Sequence, residues 1–134
     1  MREISSKGQL LARFVDGDSW VPNLSFFSAD GDFVQVGTWI YEKGKQLAAH
    51  RHNVYPRTGE RTQEVIFVRK GGLTARIYDE EGSLVETVSM RAGDLLILLA
   101  GGHGYEIDED DTQVLEVKNG PYAGAEADRV RFPT

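Results

Sequence analysis

Cysteine is absent from the 134-residue chain, which rules out both a disulfide framework and a thiolate-bound zinc, so that any metal must be held by imidazole, carboxylate or water. Long apolar runs are missing too. No stretch approaches the roughly 18 residues of a membrane span, and the opening Met1-Arg2-Glu3-Ile4-Ser5-Ser6-Lys7 lacks the apolar core of a signal peptide. A cytoplasmic protein with no membrane partner is expected. Positive charge is also scarce: 15 Lys and Arg against 21 Asp and Glu give a net charge of −6. Neutralising a phosphate backbone takes a surplus of basic side chains on one face, so no nucleic-acid partner is expected. The acidic runs Asp79-Glu80-Glu81 and Asp108-Glu109-Asp110-Asp111 read as solvated turns.

Helical periodicity is the next absence, for no apolar stripe with a 3.6-residue repeat is sustained over three turns. Fifteen glycines, only two methionines and many Val, Thr, Ile and Tyr residues instead favour short strands and tight turns. Strands are expected over residues 10–14, 21–27, 33–41, 47–52, 64–69, 73–78, 84–90, 95–99, 104–107 and 114–118, with a last short one over 129–132. Turns fall at Asp30-Gly31-Asp32, Gly71-Gly72 and Glu81-Gly82-Ser83, where glycine supplies positive φ. The unbroken run Leu95-Leu96-Ile97-Leu98-Leu99 reads as a central strand covered on both faces. No strand-helix-strand unit is visible, which excludes a parallel dinucleotide-binding sheet. The expected fold is all-β, one domain over residues 1–134 built as two antiparallel sheets, because 40% hydrophobic residues in this length fill one core and not two. Residues 53–62 carry loop composition and are expected to form an exposed or lid-like segment.

Only three histidines occur, at 50, 52 and 103. On the expected strand over 47–52, His50 and His52 project from one face with Cα atoms about 7 Å apart, a spacing that lets two imidazoles share a metal. Glu64 opens a strand on which Ile66 and Val68 share its face. A carboxylate among apolar neighbours needs a partner, since alone it costs several kcal/mol or takes up a proton. A His-x-His on a strand is also a common surface feature. The dipeptide therefore leaves a solvated reading open beside the metal one.

The spacing of these residues resembles the first motif of the cupin superfamily, in which a glycine, two histidines in His-x-His, a glutamate and a second glycine follow one another. Here they are Gly44, His50, His52, Glu64 and Gly71, with eleven residues between His52 and Glu64, a longer gap than the motif usually has. Gly93, Gly101 and His103 follow the second motif more loosely: Leu99 stands where proline is usual, His103 falls one residue early, and the closing asparagine is absent. The resemblance covers about residues 37–118, with N-terminal strands over 9–27 and a tail over 119–134. It implies a double-stranded β-helix, the cupin jelly roll. By the same resemblance His50, His52, Glu64 and His103 would hold a divalent ion (iron, manganese, nickel or zinc), and ligand type alone does not choose among these. Tyr105, two residues beyond His103, is the candidate catalytic residue, a phenol on the same face that hydrogen-bonds a ligand. Gln63, Tyr41, Arg76 and Trp39 are weaker candidates, each with a structural reading at least as good.

Three functions follow. The first is a metal-dependent isomerase or dioxygenase on a small polar molecule, carbohydrate or carboxylate related, with the ion as Lewis acid. The second is a metal-free enzyme similar to the sugar-nucleotide ketoisomerases and epimerases, with one histidine as base and a tyrosine returning a proton. The third is a cavity that binds a small ligand without turnover. A homodimer is expected, because Val65 and Phe67 alternating with Glu64, Ile66 and Val68 give one strand two apolar faces to cover.

Overall fold

The computed structural model describes residues 1–133, and they fold as an all-β protein with antiparallel sheets. A five-stranded sheet has the spatial order β1 (Arg2–Ser6), β2 (Gln9–Val15), β8 (Leu95–Leu98), β5 (Glu64–Lys70) and β10 (Gln113–Lys118). A three-stranded sheet is ordered β7 (Leu84–Arg91), β6 (Gly72–Tyr78) and β9 (Gly102–Ile107). A separate hairpin pairs β3 (Asn23–Phe26) with β4 (Gly37–Ile40). The only α-helix among the described residues is the single turn α1 (Ala125–Asp128). None is long and apolar enough to cross a membrane.

The hydrophobic alternation of the strands dictates two cores. Ile66, Val68, Leu96 and Leu98 of the larger sheet bury against Leu73, Ala75, Ile77, Val88 and Met90 of the smaller one. On the outer face of the larger sheet Val65, Leu95, Ile97 and Leu99 are covered by Trp20, Phe27, Val34 and Val36. The run at 95–99 thus lies central and is buried on both sides, as its unbroken apolar composition requires. Both faces of β5 are covered within one chain, which removes the reason given by sequence for a dimer. The uncovered apolar surface lies elsewhere, on β10 and on the hairpin's Leu24, Phe26 and Trp39.

The two sheets come together along one edge pair. There β1 lies against β7, and Arg2 forms an ion pair with Glu86. On the opposite side β9 and β10 are both sheet edges, so the sandwich has a mouth. Among the described residues no strand joins them into a closed barrel.

Several elements differ from the sequence-based expectation. Strand β1 was missed because its alternation is weak, with only Ile4 buried. The strand expected over 33–41 shrinks to β4, because the side chain of Gln63 captures the amides of Phe33 and Val34 at 2.8 and 3.2 Å. No strand forms over 47–52, where chain 41–63 runs without regular structure; no ladder partner holds it. The strand expected over 129–132 is replaced by the helical turn α1 and an irregular tail, whose Phe132 ring stacks 5.6 Å from that of Tyr78. Gly31 is not among the positive-φ glycines, whereas Gly71 and Gly82 are. Asp79 is not solvated but buried, its carboxylate accepting the amides of Glu81 and Ser83.

Two adjacent glycines fix where β9 begins. Gly101 has φ +68, and a Cβ there would meet the Tyr78 carbonyl oxygen; one at Gly102 would run into the Phe132 ring. Gly101→Ala combines left-handed backbone with a clash and is expected to cost about 2 kcal/mol or more. Gly102→Ala only expels the tail, so it and Phe132→Ala should each cost about 1 kcal/mol, with the double variant no worse than either single one in urea unfolding.

Candidate functional site

At the mouth, strand register places the polar groups. In the β5–β10 ladder Glu64 lies opposite Lys118 and Ile66 opposite Glu116. All four side chains therefore project from the sheet face that carries the core. In the β6–β9 ladder His103 faces Ile77, Tyr105 faces Ala75 and Ile107 faces Leu73. Those three partners are fully buried in the core, so the β9 side chains point inward from the other sheet. At the open side they reach towards β5 and β10 instead of more apolar neighbours.

The contact that spans the two sheets is His103 Nε2 to Glu64 Oε2, at 2.8 Å. Lys118 Nζ lies 3.8 Å from the other carboxylate oxygen of Glu64 and 2.8 Å from Glu116 Oε1. The Tyr105 ring sits beside His103, with centroids 5.4 Å apart. Glu64 is 7% exposed, deep enough that an unpaired charge there would be costly. Burial pushes its pKa up, but the hydrogen bond from His103 and the positive charge of Lys118 outweigh it, holding the carboxyl at about 2. It is ionised at neutral pH. Burial, then the negative charges of Glu64 and Glu116, drive the Tyr105 phenol well above its ordinary value, although the side chain as a whole is 37% exposed. Tyr105 therefore stays protonated, a hydrogen-bond donor. Lys118 is held protonated, chiefly by its hydrogen bond to Glu116.

The residues singled out from sequence divide into two pairs. Glu64 and His103 are in contact, with Tyr105 beside them. His50 and His52 lie on the exposed 41–63 segment, their rings 5.1 Å apart and His50 Nδ1 3.1 Å from the Ala48 carbonyl. The four donors do not form one ligand set. Among the described residues no three His, Asp or Glu side chains come together as a metal ion would need, and the Glu64 carboxylate already faces one imidazole and one ammonium. The cause is the missing strand over 47–52: without a ladder, nothing aims the His-x-His pair at Glu64.

The weaker candidates take structural roles. Gln63 is buried, accepting from the Phe33 and Val34 amides, with its own backbone N–H bound to Asn119 Oδ1 at 2.7 Å. Arg76 pairs with Glu106 on the outer surface at 2.6 Å. Trp39 is exposed and meets Tyr41 edge-on at 6.2 Å. Lys118 and Glu116 were overlooked. Their signal is the alternation Val114, Glu116, Lys118, which puts two charges on one face of an edge strand. It acquires meaning only once β10 is known to pair with β5.

No family model, no curated protein and no solved structure matches the chain. The geometry therefore carries the chemical argument. A histidine held by a buried carboxylate, with a protonated phenol alongside, can accept and return a proton and donate a hydrogen bond to a polar ligand.

The depressed Glu64 pKa makes a prediction about acid stability. A carboxyl lower in the folded than in the unfolded state stabilises above its unfolded value, near 4.5, and loses that contribution as pH falls towards about 2. Urea unfolding of the native protein and of Glu64→Gln should thus show a gap that is constant above pH 5 and narrows by on the order of 3 kcal/mol between pH 4.5 and 2. A gap independent of pH would mean that Glu64 has no stabilised charge.

Proposed function

We propose that the mouth between β9 and β10 is an acid–base site for a small polar molecule, carbohydrate or carboxylate related, on a sandwich of the cupin jelly-roll kind. The observation that carries this reading is the 2.8 Å contact between His103 Nε2 and Glu64 Oε2. A hydrogen bond donated by Nε2–H to the carboxylate fixes the imidazole tautomer and leaves the lone pair on Nδ1. Glu64 then orients the ring and stabilises the imidazolium formed when Nδ1 takes a proton. Proton abstraction next to a carbonyl suits this arrangement: the C–H electron pair passes into the carbonyl, and the protonated Tyr105 hydroxyl is placed to donate a hydrogen bond to the oxygen that gains charge. Return of the proton to the opposite face of the same carbon completes an epimerisation; its return to the former carbonyl carbon, with the neighbouring hydroxyl's proton passing to the former carbonyl oxygen, completes an isomerisation. Neither outcome needs an oxidant.

This is the metal-free alternative among the functions weighed from sequence. It is favoured over a four-ligand metal site because the structure brings together Glu64, His103 and Tyr105 and leaves His50 and His52 apart. It is favoured over passive binding because a merely polar cavity does not require a carboxylate buried against an imidazole.

The test is proton exchange. The protein is incubated in D2O with aldoses, ketoses, hydroxy acids and nucleotide-linked keto sugars, and loss of the carbon-bound proton next to the carbonyl is followed by NMR. Exchange is expected with at least one class, reduced on the order of 100-fold or more in His103→Asn and less in Tyr105→Phe. Exchange that survives His103→Asn, that appears only with added metal and vanishes on replacing His50 and His52, or that is seen with no class, would overturn the reading.

A further inference from the structure

Two features of the molecule are left unfinished in a single copy, and they are complementary. The first is the open side of the sandwich. Tyr105 and Ile107 of β9 and Val114, Leu115 and Val117 of β10 are all exposed there, along two strand edges with unpaired backbone groups. The stretch from Gly102 to Lys118 that forms this side carries six acidic residues and one basic residue. The second is the arm between β4 and β5. Every residue from Glu42 to Thr62 is exposed, including Leu47, Val54 and Tyr55, and the same stretch carries five basic residues against two acidic ones. Within its own chain the arm is held near its end, where Asn119 Nδ2 donates to the Arg61 carbonyl at 3.2 Å, Arg61 pairs with Glu80 at 2.7 Å, Thr62 Oγ1 donates to Asp128 Oδ1 at 2.5 Å, and Gly59 lies beside the Phe33 ring; Leu47, Val54 and Tyr55 remain exposed.

We propose that the arm of one copy lies along the open β9–β10 side of a second copy, and that one two-fold axis satisfies both contacts at once. A chain that presents a surface together with its complement forms such a self-complementary pair naturally, because each contact made is made twice. Charge supports the choice of a second copy as occupant: a basic arm against an acidic edge attracts, within a chain whose net charge is −6 and whose copies otherwise repel. Exposed apolar surface supports it too. The exposed apolar side chains of edge and arm number eight, among them Val54 and Tyr55 on the arm and Ile107 and Leu115 on the edge, and a standard interface buries about 800 Å2 per partner. The arm of the partner subunit would then roof the mouth that holds His103 and Glu64, which is open in one copy alone. The inference does not depend on what chemistry the mouth performs.

The absence of cysteine makes the test clean. Val54→Cys on the arm and Leu115→Cys on β10 are prepared singly and together, their fold checked by circular dichroism, and treated with a short bis-maleimide. The single variants, unfolded and refolded as a mixture, should give a covalent heterodimer by intact mass, and sedimentation of the unmodified protein should show a dimer weakened at least tenfold by 0.5 M salt. Linking of the double variant within one chain at high dilution would show that the arm closes on its own copy and overturn the proposal. A dimer without Val54–Leu115 linkage, or a monomer at all concentrations, would also overturn it.

Discussion

A carboxylate taken out of water must find positive charge or give up its own, and the placement of Glu64 makes this the organising constraint of the open side of the protein. Its strand is buried on both faces, so the side chain cannot turn to solvent without dismantling the ladder with β8. The larger sheet supplies only Lys118 as a nearby cation, at 3.8 Å. The remaining partner comes across the sandwich, from His103 on the edge of the other sheet. One contact thus does two things: it makes a buried charge tolerable, and it ties together two sheets that elsewhere meet through apolar packing and the Arg2–Glu86 ion pair. The His103 ring is thus held by the same contact that bridges the two sheets on their open side.

Much of the fold is written in hydrophobic period, and the parts that are not share a cause. The strands from β5 to β10 follow alternation or unbroken apolar runs, and the central position of Leu95–Leu98 follows from its lack of polar residues. The face shared by Glu64, Ile66 and Val68 is equally visible, as is the need of that glutamate for a partner. Strand β1 has a single buried residue, and the segment around His50 and His52 has none. Where burial does not discriminate between faces, sequence carries no register, and a pattern compatible with a strand is equally compatible with an exposed coil. The His-x-His spacing is meaningful only if a ladder aims it. The partnership of Glu64 with Lys118 and Glu116 lies outside local sequence altogether, since it arises from pairing strands separated by the 42 residues 71–112.

The resemblance gathers His50, His52, Glu64 and His103 into one centre, whereas the structure brings only Glu64 and His103 into contact. They differ on the arm. That segment is exposed from Glu42 to Thr62, and it is rich in the charge that the open edge lacks. Its composition is that of a contact surface more than that of a loop whose only task is to connect.

The central claim is that Glu64 and His103 interact directly across the mouth. A double-mutant cycle tests it most directly: Glu64→Gln, His103→Asn and the double variant, each unfolded in urea at pH 6. The account predicts a coupling energy of about 1 kcal/mol or more, as expected for groups in contact. Additivity to within about 0.5 kcal/mol, the behaviour of distant and independent sites, would contradict it.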